Sequence, residues 1–128
     1  MGLFKSAYAA IYKAFRSILV RDGMKVGGTA GYPRVELHSF TEGEPLDKGF
    51  QVRRLELTVE SMSNKDLAEA VRMAEDNLAI LLQEAGIAED FRIIGVIPRQ
   101  LRDLTEVSDT QQVIYRILQD MTVFVEQS

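Results

Sequence analysis

Arg54-Leu55-Glu56-Leu57-Thr58-Val59-Glu60-Ser61 is the stretch on which the fold turns. Leu55, Leu57 and Val59 alternate with Arg54, Glu56, Thr58 and Glu60. A period of two sends successive side chains to opposite faces, so the stretch predicts a strand with one face in a core and one in water. A weaker copy of the pattern lies upstream, where Val35 and Leu37 alternate with Glu36 and His38. Between the two, Thr41 to Gly49 is polar, carrying Glu42, Glu44, Asp47 and Lys48 around Gly43, Pro45 and Gly49. That composition cannot bury a core and predicts an exposed, mobile hairpin connection.

Helical periodicity brackets this hairpin. Ahead of it, Phe4, Tyr8, Ile11, Phe15 and Ile18 recur at intervals of four and three, a stripe facing a core. Ala7, Ala10 and Ala14 allow close packing beside it, and Arg21-Asp22-Gly23 ends it. A glycine-containing connector (Gly27, Gly28, Gly31) leads to Tyr32-Pro33 and the first strand. After the hairpin, Ser63-Asn64-Lys65-Asp66 supplies side-chain oxygens for free helix N–H groups and an acid for the positive end of the dipole. Leu67, Ala70, Val71, Ala74, Leu78, Leu81, Leu82 and Ala85 then repeat at helical spacing up to Gly86.

From Phe91 the chain is rich in β-formers again. Phe91 to Ile97 is an apolar run closed by Pro98, and Leu101, Leu104 and Val107 continue a bent strand toward a turn at Ser108-Asp109. Val113, Tyr115, Ile117, Met121, Val123 and Val125 alternate as a long strand. Residues 111–120 fit a helix ahead of a short strand as well, but β-branched and aromatic residues favour the strand. The expected architecture is a single α+β domain over residues 1–128, in the order α-β-β-α-β-β. An antiparallel sheet of about four strands of mixed length would carry both helices on one face.

The 128 residues include no cysteine and one histidine, His38. Disulfides, thiolate nucleophiles and Cys-ligated metals are therefore excluded. With 46% hydrophobic and 27% charged residues, the composition is that of an ordinary globular domain, not a disordered tail or a membrane span. The net charge of −4 and scattered basic residues argue against specific nucleic-acid binding and favour protein partners. The amphipathic N-terminus contains no uninterrupted apolar h-region, so no signal peptide is expected; Gly2 and Ser6 fit a myristoylation pattern, but the pattern is short.

No catalytic or cofactor-binding constellation emerges. The Gly27–Gly31 cluster follows a helix and precedes a strand, so no helix N-terminus stands behind it to hold a phosphate. The acidic pairs Glu42/Glu44, Glu56/Glu60 and Glu75/Asp76 fall where solvent is expected, without the dry environment that tunes an acid or base. His38 sits on the polar face of its strand, and the sequence assembles no nucleophile and orienting acid around it. No metal site, cofactor or enzymatic activity is expected. The sheet face opposite the helices would display Glu36, Arg54, Glu56, Thr58 and Glu60 in alternating charge. That face and the charged loop suit contacts with other chains.

The layout resembles the tail-terminator and tail-completion proteins of long-tailed bacteriophages, which act near the head–tail joint. The resemblance rests on the N-terminal amphipathic helix and glycine connector, and on Tyr32-Pro33-Arg34-Val35-Glu36-Leu37 opening the first strand. It continues through the strand Arg54–Ser61 and the Ala-containing helix start Asp66-Leu67-Ala68-Glu69-Ala70-Val71. It implies a non-enzymatic homo-oligomer, typically a hexameric ring, that caps the tail tube and meets the head–tail connector. The ring would form in the host cytoplasm and end in the virion tail or neck, away from membranes, with DNA passing through it. It further implies that Glu42, Glu44, Asp47 and Lys48 face the tube or lumen, and that Arg53 and Arg54 form intersubunit ion pairs. Another neck protein, a component of a contractile injection apparatus, or a small-molecule-binding α+β domain are the alternative readings.

Overall fold

A computed structural model of the chain describes residues 6–27, 31–44, 46, 52–84, 86–107 and 109–127. Phe4, Gly2, Gly28, Asp47, Lys48, Gly49, Ala85 and Ser108, all used in the sequence reading, lie outside them. The elements are α1 (Tyr8–Arg21), β1 (Arg34–Glu42), β2 (Val52–Ser63), α2 (Leu67–Glu84), β3 (Ile87–Ala88), β4 (Phe91–Asp103), β5 (Glu106–Val107) and β6 (Val113–Gln127). The six-stranded sheet runs β1-β2-β6-β4-β3, with β5 pairing with β6. All these strand pairs are antiparallel.

The α+β class and the long final strand agree with the sequence reading. The strand count is corrected from about four to six, because the two-residue β3 and β5 carry no periodicity that could be read. Pro98 does not close β4. Past Ile93, no strand among the described residues pairs with its outer side, so a residue without an N–H is accommodated at that edge. Register breaks between Ile93 and Gly95 and between Pro98 and Leu101 bend it instead.

Leu55, Leu57 and Val59 turn inward beneath the helices, opposite Val123, Met121 and Gln119 of β6. Ile11, Phe15, Ile18 and Leu19 of α1 meet them, with Ala7 and Ala10 alongside. Tyr8, expected in that stripe, is 45% exposed. It turns to the rim, where the rings of Tyr8 and Tyr12 lie 5.0 and 5.5 Å from that of Phe40. The buried face of α2 is also rotated from the expected stripe. Ala70, Met73, Ala74, Asn77 and Leu81 face inward, while Leu67 and Leu82 are exposed. Small Ala70 and Ala74 let the helix approach Ile117 and Tyr115 closely, which moves the leucines to the flanks. Asp66 caps α2 as expected, its Oδ1 accepting from the Glu69 N–H at 2.7 Å.

Candidate functional site

Charged residues on the sheet face away from the helices are tied to one another across the strands. His38 on β1 and Arg116 on β6 both reach Glu60 on β2: His38 Nε2 lies 2.9 Å from Oε1, and Arg116 Nε donates to Oε2. Arg116 Nη1 continues to Glu106 of β5 at 3.3 Å. One turn of the pattern along, Thr58 Oγ1 donates to Asp120 Oδ1 at 2.7 Å, and Arg102 of β4 grips both oxygens of that carboxylate at 2.9 and 3.0 Å. These contacts are the diagonal and direct cross-strand neighbours that antiparallel pairing brings within reach.

Glu60 is 2% and Thr58 4% exposed, a correction to the solvated face expected from alternation alone. Burial raises the Glu60 pKa, but hydrogen bonds and charge from Arg116 and His38 outweigh it and hold the carboxyl below its ordinary value. Asp120 behaves alike, with burial opposed and overcome by Arg102 and Thr58. Sequence reasoning missed both lines because the partners lie up to 62 residues apart. The available signal was parity: Arg116 and Asp120 fall on the same alternate positions of β6, opposite the polar positions of β2.

Ser39, whose φ is +59°, places its Oγ 2.9 Å from Nδ1 of His38. Ser39, His38 and Glu60 thus stand in the order nucleophile, base, acid. Glu60 is shared between His38 and Arg116, whose Nε donates to its other carboxylate oxygen. The same bonds pin the irregularity in β1 between His38 and Thr41 against β2. Ser39 and Thr41 also line an open cleft of about 340 Å3 across this face, with Glu56, Thr58, Arg99 and Asp120 on its other walls.

The residues nominated for contacts divide sharply. Glu42 is the last residue of β1 and not a free loop residue. Its Oε1 accepts from Ser6 Oγ and the Ala7 N–H at 2.9 Å and from the Tyr8 N–H at 3.2 Å, so it caps α1 from another element. Its Oε2 lies 3.8 Å from Nε of Arg53. Arg53 is fully buried and also reaches Gln127 Oε1 at 3.1 Å. Its ion pair is therefore within the subunit, where an exposed intersubunit partner was expected. Glu44 and Arg54 are exposed. The hairpin stays paired beyond β1, with Gly43 N–H donating to Arg54 O at 2.9 Å and Leu46 N–H to Val52 O at 2.8 Å. Leu46 is 56% exposed. Asp47 and Lys48 lie outside the described residues.

Among the described residues no group of three or more acidic or histidine side chains gathers to hold a metal ion. No described helix is long and apolar enough to cross a membrane.

No protein-family model matches the chain, and no curated protein matches it. Among solved structures, its fold is similar to that of a chain from the virion of a native gene transfer agent (GTA) particle. That match has a TM-score of 0.66 at 18% identity and covers 93% of each chain.

Proposed function

We propose that this chain is a structural protein of a phage-like virion, and within it a tail terminator. Subunits form a ring that caps the tail tube and offers its other side to the head connector. The observation that carries this reading is the match over 93% of both chains with a chain of a GTA virion. The sequence layout of helix, glycine connector, aromatic-Pro strand and charged hairpin supports the finer assignment.

The geometry suits a passive, load-transmitting part. Side-chain ties run from β1 through β2 and β6 to β4, so the sheet resists shear as one body. The hairpin combines a fixed root, Glu42 and Arg53, with an exposed end that presents Glu44, Leu46 and Arg54. In this reading that end, with Asp47 and Lys48, contacts the tube. In this reading Ser39 and His38 brace the irregularity in β1 against β2, and the protein acts by steric closure.

Deleting the gene from the genome that produces the particle tests this. Separate heads and tails of irregular length, restored to joined particles by the gene in trans, are expected. Normal joined particles in the deletion strain would refute the role.

A further inference from the structure

Adjacent residues of a regular strand point to opposite faces, so His38 and Ser39 could not touch in an unbroken β1. Between His38, opposite Thr58, and Thr41, opposite Glu56, β1 carries two residues where β2 has only Leu57. Ser39 takes up the extra length with a φ of +59°, a left-handed conformation uncommon outside glycine. The bulge brings its side chain back beside the imidazole, with Oγ 2.9 Å from Nδ1 of His38. Bulges re-aim side chains next to active sites, and backbone held in sparsely populated conformations clusters there.

The proton positions follow from Glu60. Its carboxyl stays ionised at neutral pH and can only accept, so Nε2 of His38, 2.9 Å away, carries the ring proton. Nδ1 is then a free lone pair, and the Ser39 hydroxyl donates to it. Arg116 on the other oxygen of Glu60 keeps that buried carboxylate in place. Ser39 is exposed on the wall of the cleft of about 340 Å3, whereas His38 lines the smaller cleft beside Tyr12 and Glu36. Arg99 lines the same cleft as Ser39. Its Nε donates to Thr122 Oγ1 at 3.0 Å, and it makes no ion pair among the described residues. That leaves a cation in the cleft for a carbonyl oxygen that gains charge. The volume and polar walls suit a small ester better than a long acyl chain.

We propose that Ser39, His38 and Glu60 form a serine-hydrolase site for short carboxylic esters, with Arg99 stabilising the oxyanion. Ser39 Oγ bonds to the ester carbonyl carbon as its proton passes to Nδ1 of His38. The tetrahedral intermediate collapses, its C–O bond to the alcohol breaks, and the alcohol leaves with the proton from Nδ1. Water then gives a proton to Nδ1 and attacks the acylated serine. Release of the carboxylic acid returns the proton to Ser39, so ester and water yield acid and alcohol with no redox change. Glu60 is a positioning residue that holds the imidazole in the tautomer this needs. The activity goes beyond the virion role and does not depend on it.

Hydrolysis of p-nitrophenyl acetate by the purified protein tests the site. Ser39→Gly removes the nucleophile while accepting the positive φ, so the fold is kept. Ser39→Gly and His38→Gln are each expected to lose about a hundredfold of the catalysed rate. A fluorophosphonate should label Ser39 of the wild type, located by peptide mass, and should fail to label His38→Gln. The chain contains no cysteine, so the single thiol of Ser39→Cys gives a readout that a mere brace would not move. Its alkylation by iodoacetamide should slow about tenfold when His38→Gln is added, because the thiolate is the reacting form. Hydrolysis unchanged in Ser39→Gly, a label found elsewhere, or equal alkylation rates overturns the site. An inert Ser39 in a protein that still forms rings overturns this proposal and leaves the virion role standing. An active Ser39 in a protein that forms no ring, alone or on tail tubes, supports the site and overturns the ring.

Discussion

One carboxylate, that of Glu42, joins three parts of the chain: it caps the start of α1 and lies 3.8 Å from the buried guanidinium of Arg53. The cap satisfies N–H groups that a helix start leaves without an internal partner. The pairing sets an acid beside a cation buried in the interior. Replacing Glu42 with Ala removes both at once. The expected loss is about 3–5 kcal/mol of stability, the usual effect of stripping one partner from a buried pair. Urea unfolding measures it, and hydrogen exchange should show the N–H groups of Ala7 and Tyr8 losing protection first.

The neighbouring arginines should behave oppositely. Arg53→Glu would set two carboxylates against each other inside the protein, and the folded state should be lost. Arg54→Glu changes an exposed side chain, and its melting temperature should stay within about 1–2 degrees of wild type, as surface substitutions usually do. Circular dichroism of both variants separates them. Only Arg54→Glu is an informative probe of assembly, and it should reduce attachment to tail tubes.

Acid should loosen the outer face of the sheet. Glu60 and Asp120 have folded pKa values below their ordinary 4.5 and 3.8. Groups depressed in this way contribute stability above the ordinary pKa, and that contribution is lost as pH falls through the lower folded value. Stability should therefore hold from neutral pH to about 4.5 with respect to these groups, then decline. Arg116→Gln leaves Glu60 buried with His38 as its remaining charged neighbour. Its folded pKa then rises, and this group's acid-linked loss should shrink. Denaturant midpoints measured from pH 3 to 7 check the sign.

Asn77 is a polar residue in the core. It is 1% exposed, and its Nδ2 donates to Ser61 Oγ at 2.9 Å while Oδ1 has no partner among the described residues. Asn77→Ala should destabilise by about 1–3 kcal/mol, since it orphans the Ser61 hydroxyl and opens space. Removing both polar groups, in Asn77→Leu with Ser61→Ala, should be near neutral or stabilising. Thermal denaturation of the two variants decides between these outcomes.

Periodicity carried the fold a long way. The alternation through Leu55, Leu57 and Val59 placed β2, and the helical spacing placed α1 and α2, because burial of one face is a local pattern. What it could not give were relationships set by distant pairing. Glu60 looked solvated because its own strand says nothing of Arg116, and Arg53 looked like a surface charge because its position depends on Glu42 and Gln127 arriving beside it. Tyr8 obeyed the helical stripe but lies at the rim of the sheet, where Phe40 receives it. The candidate contact surface was legible only in part. Glu44 and Arg54 are exposed, whereas Glu42 and Arg53 hold the subunit itself together.

A terminator of the proposed kind stops tail-tube growth by closing the tube with a ring. The most direct measurement is the length distribution of tail tubes polymerised from purified tube protein, imaged with and without this chain, alongside the mass of the species at tube ends. The account predicts that tubes stop growing once capped and that a closed ring of subunits sits at one end. Tubes that elongate equally in its presence, with the chain remaining a free monomer, would contradict it.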